Sequence, residues 1–290
     1  LAPDLDRVAL LVGSATDSPW GRTLEIRRLS DGHKTTIWDA GEIHSVAWDG
    51  DQALVVLARA AEPNAAMGLY RIPAGGGQAR SLANLSSLPD GAAAAHALRV
   101  SPDRRLLTFL VSSTNPQKSS LYGVRADGLS LRSLMPADTD SSVTQYAWLP
   151  PADAAAEPRL LMLAKGQLAQ LTLTATGAAR LEMISELTNT DLNDMAVAPG
   201  GQVAVLARVP NSPPQVYLRG VQDPASPAAP AQMLPLTGGT PLAGSLEWAA
   251  RGQYLVYRVA EKSGERLLMV DVMHKGAPIT LMESMPRPAQ

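Results

Sequence analysis

The feature that most constrains this chain is a repeat. The segment "LRVSPDRRLLTFLV" (98–111) sets a Ser-Pro-Asp turn between two apolar runs, the first of which ends at Val100. Placed in register with the rest of the sequence, that strand end finds counterparts at Leu1, Trp48, Trp148, Val197 and Trp248. The matching segments are "LAPDLDRVALLVG", "VAWDGDQALVVLA", "YAWLPP" followed by "PRLLMLA", "MAVAPGGQVAVLA" and "LEWAARGQYLVYR". Three of the five Trp share one repeat position, which a single hairpin cannot explain. Large flat side chains at a fixed repeat position predict packing between neighbouring units.

Each repeat continues alike. A polar loop follows the second strand, then a third strand ends in a turn, as in "LYRIPAGGG" (69–77), "LYGVRADG" (121–128) and "LMVDVMHKG" (268–276). A short fourth strand follows, as in "TTIWD" (35–39), "ARSLAN" (79–84) and "APITLME" (277–283). Alternating apolar residues bounded by Gly and Asp turns predict antiparallel strands, and no segment carries a sustained, capped helical period. Repeats of about 50 residues with four strands each predict an all-β, six-bladed β-propeller, a fold that leaves only short, protected sheet edges. The expected blades are 1–39, 40–85, 86–136, 137–187, 188–239 and 240–283, with 284–290 as a tail. The first blade lacks most of its innermost strand in this segment, so the polypeptide is expected to extend upstream of Leu1. Such an extension could supply only that strand, or also a signal peptide, a membrane anchor or another domain.

"LRVSPDRRLLTFLV" joined to "SLYGVRADG" resembles the WD40-like repeat of TolB-type six-bladed propellers. That repeat has a Ser-Pro-Asp-Gly turn, an apolar strand, and a strand ending in Ala-Asp-Gly. "VAPGGQVAVLA" is the next best match, while the other repeats carry Trp-Asp-Gly, Trp-Leu-Pro-Pro and Trp-Ala-Ala at the turn. The resemblance implies a bacterial, extracytoplasmic binding protein, periplasmic or lipid-anchored. TolB-like repeats also decorate kinases, peptidases and lipoproteins, and fold alone does not assign a task.

Composition removes several functions. The net charge is −2 and no cluster of Lys and Arg offers the footprint that phosphate neutralisation needs, so no nucleic-acid partner is expected. No apolar run approaches the roughly 18 residues of a membrane span. The absence of Cys excludes disulfides and thiol chemistry. There is no Gly-x-Ser-x-Gly elbow, no His-Glu-x-x-His and no Walker A sequence. The Ser101-Pro102-Asp103 turn is read as structural, since Pro favours the second position of a type I turn and Asp bonds its own backbone.

The polar residues with the most to say recur at one register. Four positions before each strand end stand His44, His96, Thr144, Asn193 and Gly244, and the next positions hold Ser45, Ala97, Gln145, Asp194 and Ser245. At one mouth of a propeller channel, His44 and His96 with Asp194 could hold a transition metal, or act as general acid and base. The alternative is a rim of hydrated residues, each hydrogen-bonded locally. Loops 13–22, 60–67, 112–119, 209–214 and 260–265 share that face and include Trp20 and Met67. Rigid loops around a shallow mouth suit a protein or peptide, with an exposed Trp as anchor. The expected partner-binding set is therefore His44, His96, Gln145, Asn193, Asp194, Trp20 and Met67, and no cofactor beyond such a metal is expected. Three functions follow: a non-catalytic protein- or peptide-binding module, a metal-dependent hydrolase or lyase, and a regulatory domain of a larger chain.

Overall fold

The computed structural model describes residues 1–13, 21–60, 65–88, 95–112, 119–136, 142–151, 153, 156–174, 179–184, 191–208, 211–220, 232–233, 240–249, 252–261, 264–274 and 277–285. They form two compact units, Leu1–Val143 and Thr144–Gln290. Every element is a β-strand.

In the first unit, β1 (Arg7–Val12), β2 (Gly21–Arg28), β3 (Lys34–Trp48), β4 (Ala53–Arg59), β5 (Met67–Pro73) and β6 (Arg80–Asn84) make one six-stranded sheet in chain order. The long β3 serves twice: its first half pairs with β2 and its second half with β4. Next, β7 (Ala95–Val100), β8 (Leu106–Ser112), β9 (Ser119–Arg125) and β10 (Arg132–Ser133) form a four-stranded sheet.

The second unit repeats the plan. One sheet holds β11 (Val143–Trp148), β12 (Arg159–Ala164), β13 (Gln167–Leu173) and β14 (Ala179–Ile184). Another holds β15 (Asp191–Val197), β16 (Gln202–Arg208), β17 (Gln215–Gly220) and β18 (Gln232–Met233). The last is made of β19 (Thr240–Pro241), β20 (Glu247–Ala249), β21 (Tyr254–Glu261), β22 (Gly264–Asp271) and β23 (Ile279–Met285). There β19 and β20 both pair with β21, as two halves of one interrupted inner strand. β23 runs two residues into the segment expected to be a tail, because its backbone still pairs with Glu265.

The sequence pattern explains the stacking. The second strand of four repeats, such as "ALVVLAR" or "LLTFLVS", is a nearly continuous apolar run and is buried along nearly its whole length. A strand covered on both faces reads this way, whereas a half-exposed one alternates. Along β4, Leu54 and Val56 join Leu24, Ile26 and Ile37 in one core, while Val55 and Leu57 join Leu98, Leu107, Phe109 and Val124 in another. In the second unit Leu206, Val216 and Leu218 pack on Leu255, Tyr257 and Leu268. Each such side chain contributes about 1.5–3 kcal/mol on burial.

The Ser-Pro-Asp turn is structural in detail. Arg104 N–H donates to Ser101 O at 2.9 Å, closing the turn over Pro102 and Asp103. The Ser101 hydroxyl donates to Asp103 Oδ1 at 2.6 Å and accepts from Leu106 N–H at 2.9 Å, locking the hairpin that joins β7 to β8.

Candidate functional site

Residues of the expected polar register lie on β3, β7, β11 and β15, and in three of these strands a bulge falls there. In β3 the pairing passes from Ile43↔Ala58 to Ser45↔Leu57, leaving His44 as the extra residue. In β15 it passes from Leu192↔Ala207 to Asp194↔Leu206, leaving Asn193 as the extra residue. In β7 the shift lies between His96 and Arg99, and Ala97 takes a left-handed φ of 55°. An extra residue bends a strand and re-aims its side chains. In β3 and β15 the residue after the bulge, Ser45 or Asp194, turns toward backbone of the following repeat, as Gln145 does at the same register of β11.

Those side chains grip backbone about fifty residues further on. Ser45 Oγ accepts from Leu98 N–H at 3.0 Å. Gln145 Oε1 accepts from Met195 N–H at 2.9 Å, while its Nε2 donates to Asp194 Oδ1 at 2.8 Å. Asp194 Oδ1 also accepts from Met195 N–H at 2.9 Å, and its Oδ2 accepts from Ser245 N–H at 2.8 Å and Leu246 N–H at 3.0 Å. Ser245 carries the series on, donating to Leu242 O at 2.5 Å and accepting from Arg258 N–H at 3.2 Å. Asp194 is only 2% exposed, so these bonds operate away from water, where hydrogen bonds are electrostatically stronger.

His44 makes a parallel stitch. Its side chain is buried, Nδ1 lies 2.9 Å from Ala95 O, and Nε2 lies 3.6 Å from a Glu42 carboxylate oxygen that also pairs with Arg59 at 3.3 Å. Burial lowers its pKa below the ordinary 6.5, against the opposing pull of the Ala95 carbonyl and Glu42. The neutral ring then donates from Nδ1 to the Ala95 carbonyl.

One placement corrects an expectation. Met67 does not sit in a binding loop: it opens β5 and is 1% exposed within the core that holds Leu57 and Phe109. Both Asp194 oxygens accept from N–H donors. Among the described residues no group of three His, Asp or Glu converges as ligands. His96 is half-buried in β7 beside Ala95, and Asn193 is exposed at its bulge. Trp20 and most of the face loops lie outside the described residues.

Sequence reasoning left Ser45 and Ser245 out of the site, although both stood at the right offset. Its local alternative placed the bonds within a repeat, whereas they cross between repeats. The signal was the recurrence of a polar residue just after the bulge, and what it marks is a stitch. The Trp position behaves likewise: Trp248 Nε1–H donates to Ala196 O at 3.0 Å, one repeat back.

No protein-family model and no curated protein matches the sequence. Solved structures do resemble the chain. TolB from Acinetobacter baumannii superposes with a TM-score of 0.59 at 16% identity, over 96% of this chain and 63% of that one. A structure from a study of two prolyl endopeptidases gives 0.69 at 17% identity, over 97% of this chain and 41% of that one. A chain from a nidogen/laminin complex gives 0.52 at 12% identity, over 95% of this chain and 91% of that one. This chain therefore spans less than two thirds of the first two. The sheets, their order and these superpositions agree: the chain has the multi-blade β-propeller fold that TolB has.

Proposed function

We propose that this chain is a non-catalytic, extracytoplasmic propeller module that binds a protein or peptide through the loops of its channel face. The observation that carries the reading is the engagement of the inner polar ring. Its one buried acid, Asp194, accepts four N–H groups, and His44 and Gln145 are tied to backbone, which leaves these residues poorly placed for proton transfer or metal ligation. Chemistry in this reading belongs to what the loops hold. The similarity to TolB and to a chain of a nidogen/laminin complex supports a protein partner and a location outside the cytoplasm. Loops 13–22, 60–67, 112–119, 209–214 and 260–265 form the proposed surface, with Trp20 as its aromatic anchor.

The test is selection of binders from a displayed random-peptide library, followed by hydrogen-exchange mapping of the bound peptide. Protection of those loops, lost on Trp20→Ala with an unchanged melting temperature, is the expected result. Turnover of peptide or ester substrates by the isolated chain, or protection confined to 150–158 and 223–235, overturns it.

A second reading has its own support. The chain spans only 41% of the prolyl endopeptidase chain it superposes on, with a TM-score of 0.69. In this reading the propeller is the regulatory part of a larger hydrolase and meets its substrate peptide on the way to another domain. A catalytic domain in the same natural polypeptide is what separates the second reading from the first.

A further inference from the structure

The strand ends away from His44 and His96 carry a second recurrence. β7 runs from His96 toward the Ser101–Arg105 turn, and β9 and β10 bring the neighbouring turn, 126–131, to that same end, where Ala126 N–H donates to Arg105 O at 2.9 Å. A Cβ on Gly128 would strike the Leu82 carbonyl, so this turn also rests on β6 of the preceding repeat. Arg80, Arg104, Arg105, Arg125 and Arg132 thereby border one turn, all of them exposed. Two acids answer them: Asp127 pairs with Arg125 at 2.6 Å, and Asp103 lies 3.9 Å from Arg105. Arg80, Arg104 and Arg132 have no ion pair among the described residues, and the patch is net positive.

Sheet stability does not explain these charges. In repeats one and two the basic residue near the start of the fourth strand stands directly opposite another, Lys34 to Arg27 and Arg80 to Arg71. Arg132 holds the same place in repeat three, opposite Gly123. Like charges directly opposite destabilise a sheet. Of those four facing residues, only Lys34 and Arg71 have an ion pair among the described residues, with Glu25 and Asp49.

The apolar residues at this end are equally out of keeping with a solvated surface. Leu129 is 61% exposed at the tip of the 126–131 turn. Leu29, 54% exposed, stands in the corresponding turn of repeat one, next to Arg27 and Arg28. The Leu29 turn is more nearly neutral, because Arg28 pairs with Asp31 at 2.8 Å and Lys34 with Glu25 at 2.8 Å.

We propose that the Leu129 tip and the arginines around it dock on an anionic lipid bilayer. A large apolar side chain at a turn tip gains by leaving water for the acyl boundary, while guanidinium forks bond headgroup phosphate oxygens bidentately. An acidic polypeptide would use the arginines and leave Leu129 in water. The patch lies at the opposite strand ends from the channel-face loops, so this docking stands independently of what those loops hold.

The test is co-sedimentation of the chain with vesicles of equimolar phosphatidylglycerol and phosphatidylcholine, and with vesicles of phosphatidylcholine alone. Binding is expected only to the anionic vesicles, and it weakens as salt is raised, because exposed charges are screened. Arg80→Gln combined with Arg132→Gln is expected to weaken partitioning at least about tenfold, whereas Arg22→Gln, at the other end of β2, leaves it within about twofold. The chain has no Cys, so Leu129→Cys offers a single attachment point for an environment-sensitive dye. Its emission is expected to shift to the blue on anionic vesicles, and a dye at Arg22→Cys to stay as in water. Both dye positions are exposed, so this readout holds even where the arginine variants fail to fold. Absence of binding to the anionic vesicles overturns the proposal, as does binding that the folded Arg80 and Arg132 variants leave unchanged. A dye at Leu129 that stays in water, with equal binding to soluble polyglutamate, gives the patch to an acidic protein segment instead.

Discussion

Asp194→Ala is the perturbation that most directly tests whether the inner ring is a stitch or a binding site. The carboxylate accepts from Gln145 Nε2, Met195 N, Ser245 N and Leu246 N. Met195 N–H keeps Gln145 Oε1 as an acceptor at 2.9 Å, and the half-buried Gln145 amide can turn toward water. Ser245 and Leu246 N–H have no such recourse, since both bonds are buried. Two buried backbone donors orphaned at about 1–3 kcal/mol each give a loss of about 4 kcal/mol. At about 2–4 °C per kcal/mol for a chain of this size, the melting temperature falls by roughly 8–16 °C. Asp194→Asn keeps one acceptor oxygen and is expected to lose about half as much. The measurement is thermal unfolding by circular dichroism, with native-state exchange at 245–246 to place the loss. A melting temperature within about 3 °C of wild type, with those amides still protected, refutes the reasoning and returns Asp194 to the pool of binding residues.

The other predictions are smaller or more local. Ser45→Ala removes one neutral acceptor from Leu98 N–H and is expected to cost about 1 kcal/mol in urea unfolding. Tyr257 is fully buried with its hydroxyl unpartnered among the described residues, and burial pushes its pKa up to about 12. The folded state therefore holds this proton more tightly than the unfolded state. Stability is present below pH 10 and lost as pH rises toward about 12; Tyr257→Phe is expected to remove that alkaline loss and to match or exceed wild-type stability at pH 7. His44 runs the other way. Its folded pKa lies below the unfolded 6.5, so stability is full above 6.5 and declines as pH falls until the folded pKa is passed; ¹H–¹⁵N titration of the ring and unfolding from pH 7 to 5 check the sign. Gly128 has φ +90° and a Cβ there would collide with the Leu82 carbonyl, so Gly128→Ala is expected to unseat the turn after β9, read as lost protection at Leu129.

How much of this was legible in the sequence depends on the range of the interaction. Strands and turns are set by neighbours a few residues apart, so "SPDRR" between two apolar runs could be read as a locked hairpin, and Ser101 and Asp103 behave as that reading requires. The repeat extended the view to about fifty residues, because equivalent positions must meet equivalent surroundings; hence the Trp position emerged as packing between repeats. The partner atom stayed hidden. Asp194, Gln145 and Ser45 bind backbone N–H groups, which every residue but Pro carries, so no residue type at the far end advertised the contact. A His pair and a carboxylate in register suggested ligands, and for His44 and Asp194 the structure shows bonds to backbone about fifty residues on. Met67 was missed for a simpler reason: the strand begins at the residue taken as the end of a loop, and one position decides whether a Met faces water or Phe109.

The same logic runs backward from structure to sequence. Once Ser45, Gln145 and Asp194 are understood as one device used three times, the repeat that lacks it becomes informative. Repeat three has Ala97 there, in a left-handed conformation and with no side-chain acceptor. A bulge held in that geometry costs of order 1–3 kcal/mol for a non-Gly residue and is kept only where its surroundings impose it. The strain therefore falls beside His96, a residue of the expected binding set. Ala97→Gly relieves it and Ala97→Val worsens it. If the bend at Ala97 sets where His96 points, the two variants are expected to change stability in opposite directions. Ala97→Gly leaves peptide binding intact, because the bend survives, whereas Ala97→Val weakens binding beyond what its loss of stability accounts for. Equal binding by both folded variants separates the bend from the binding face and leaves it as a packing feature alone.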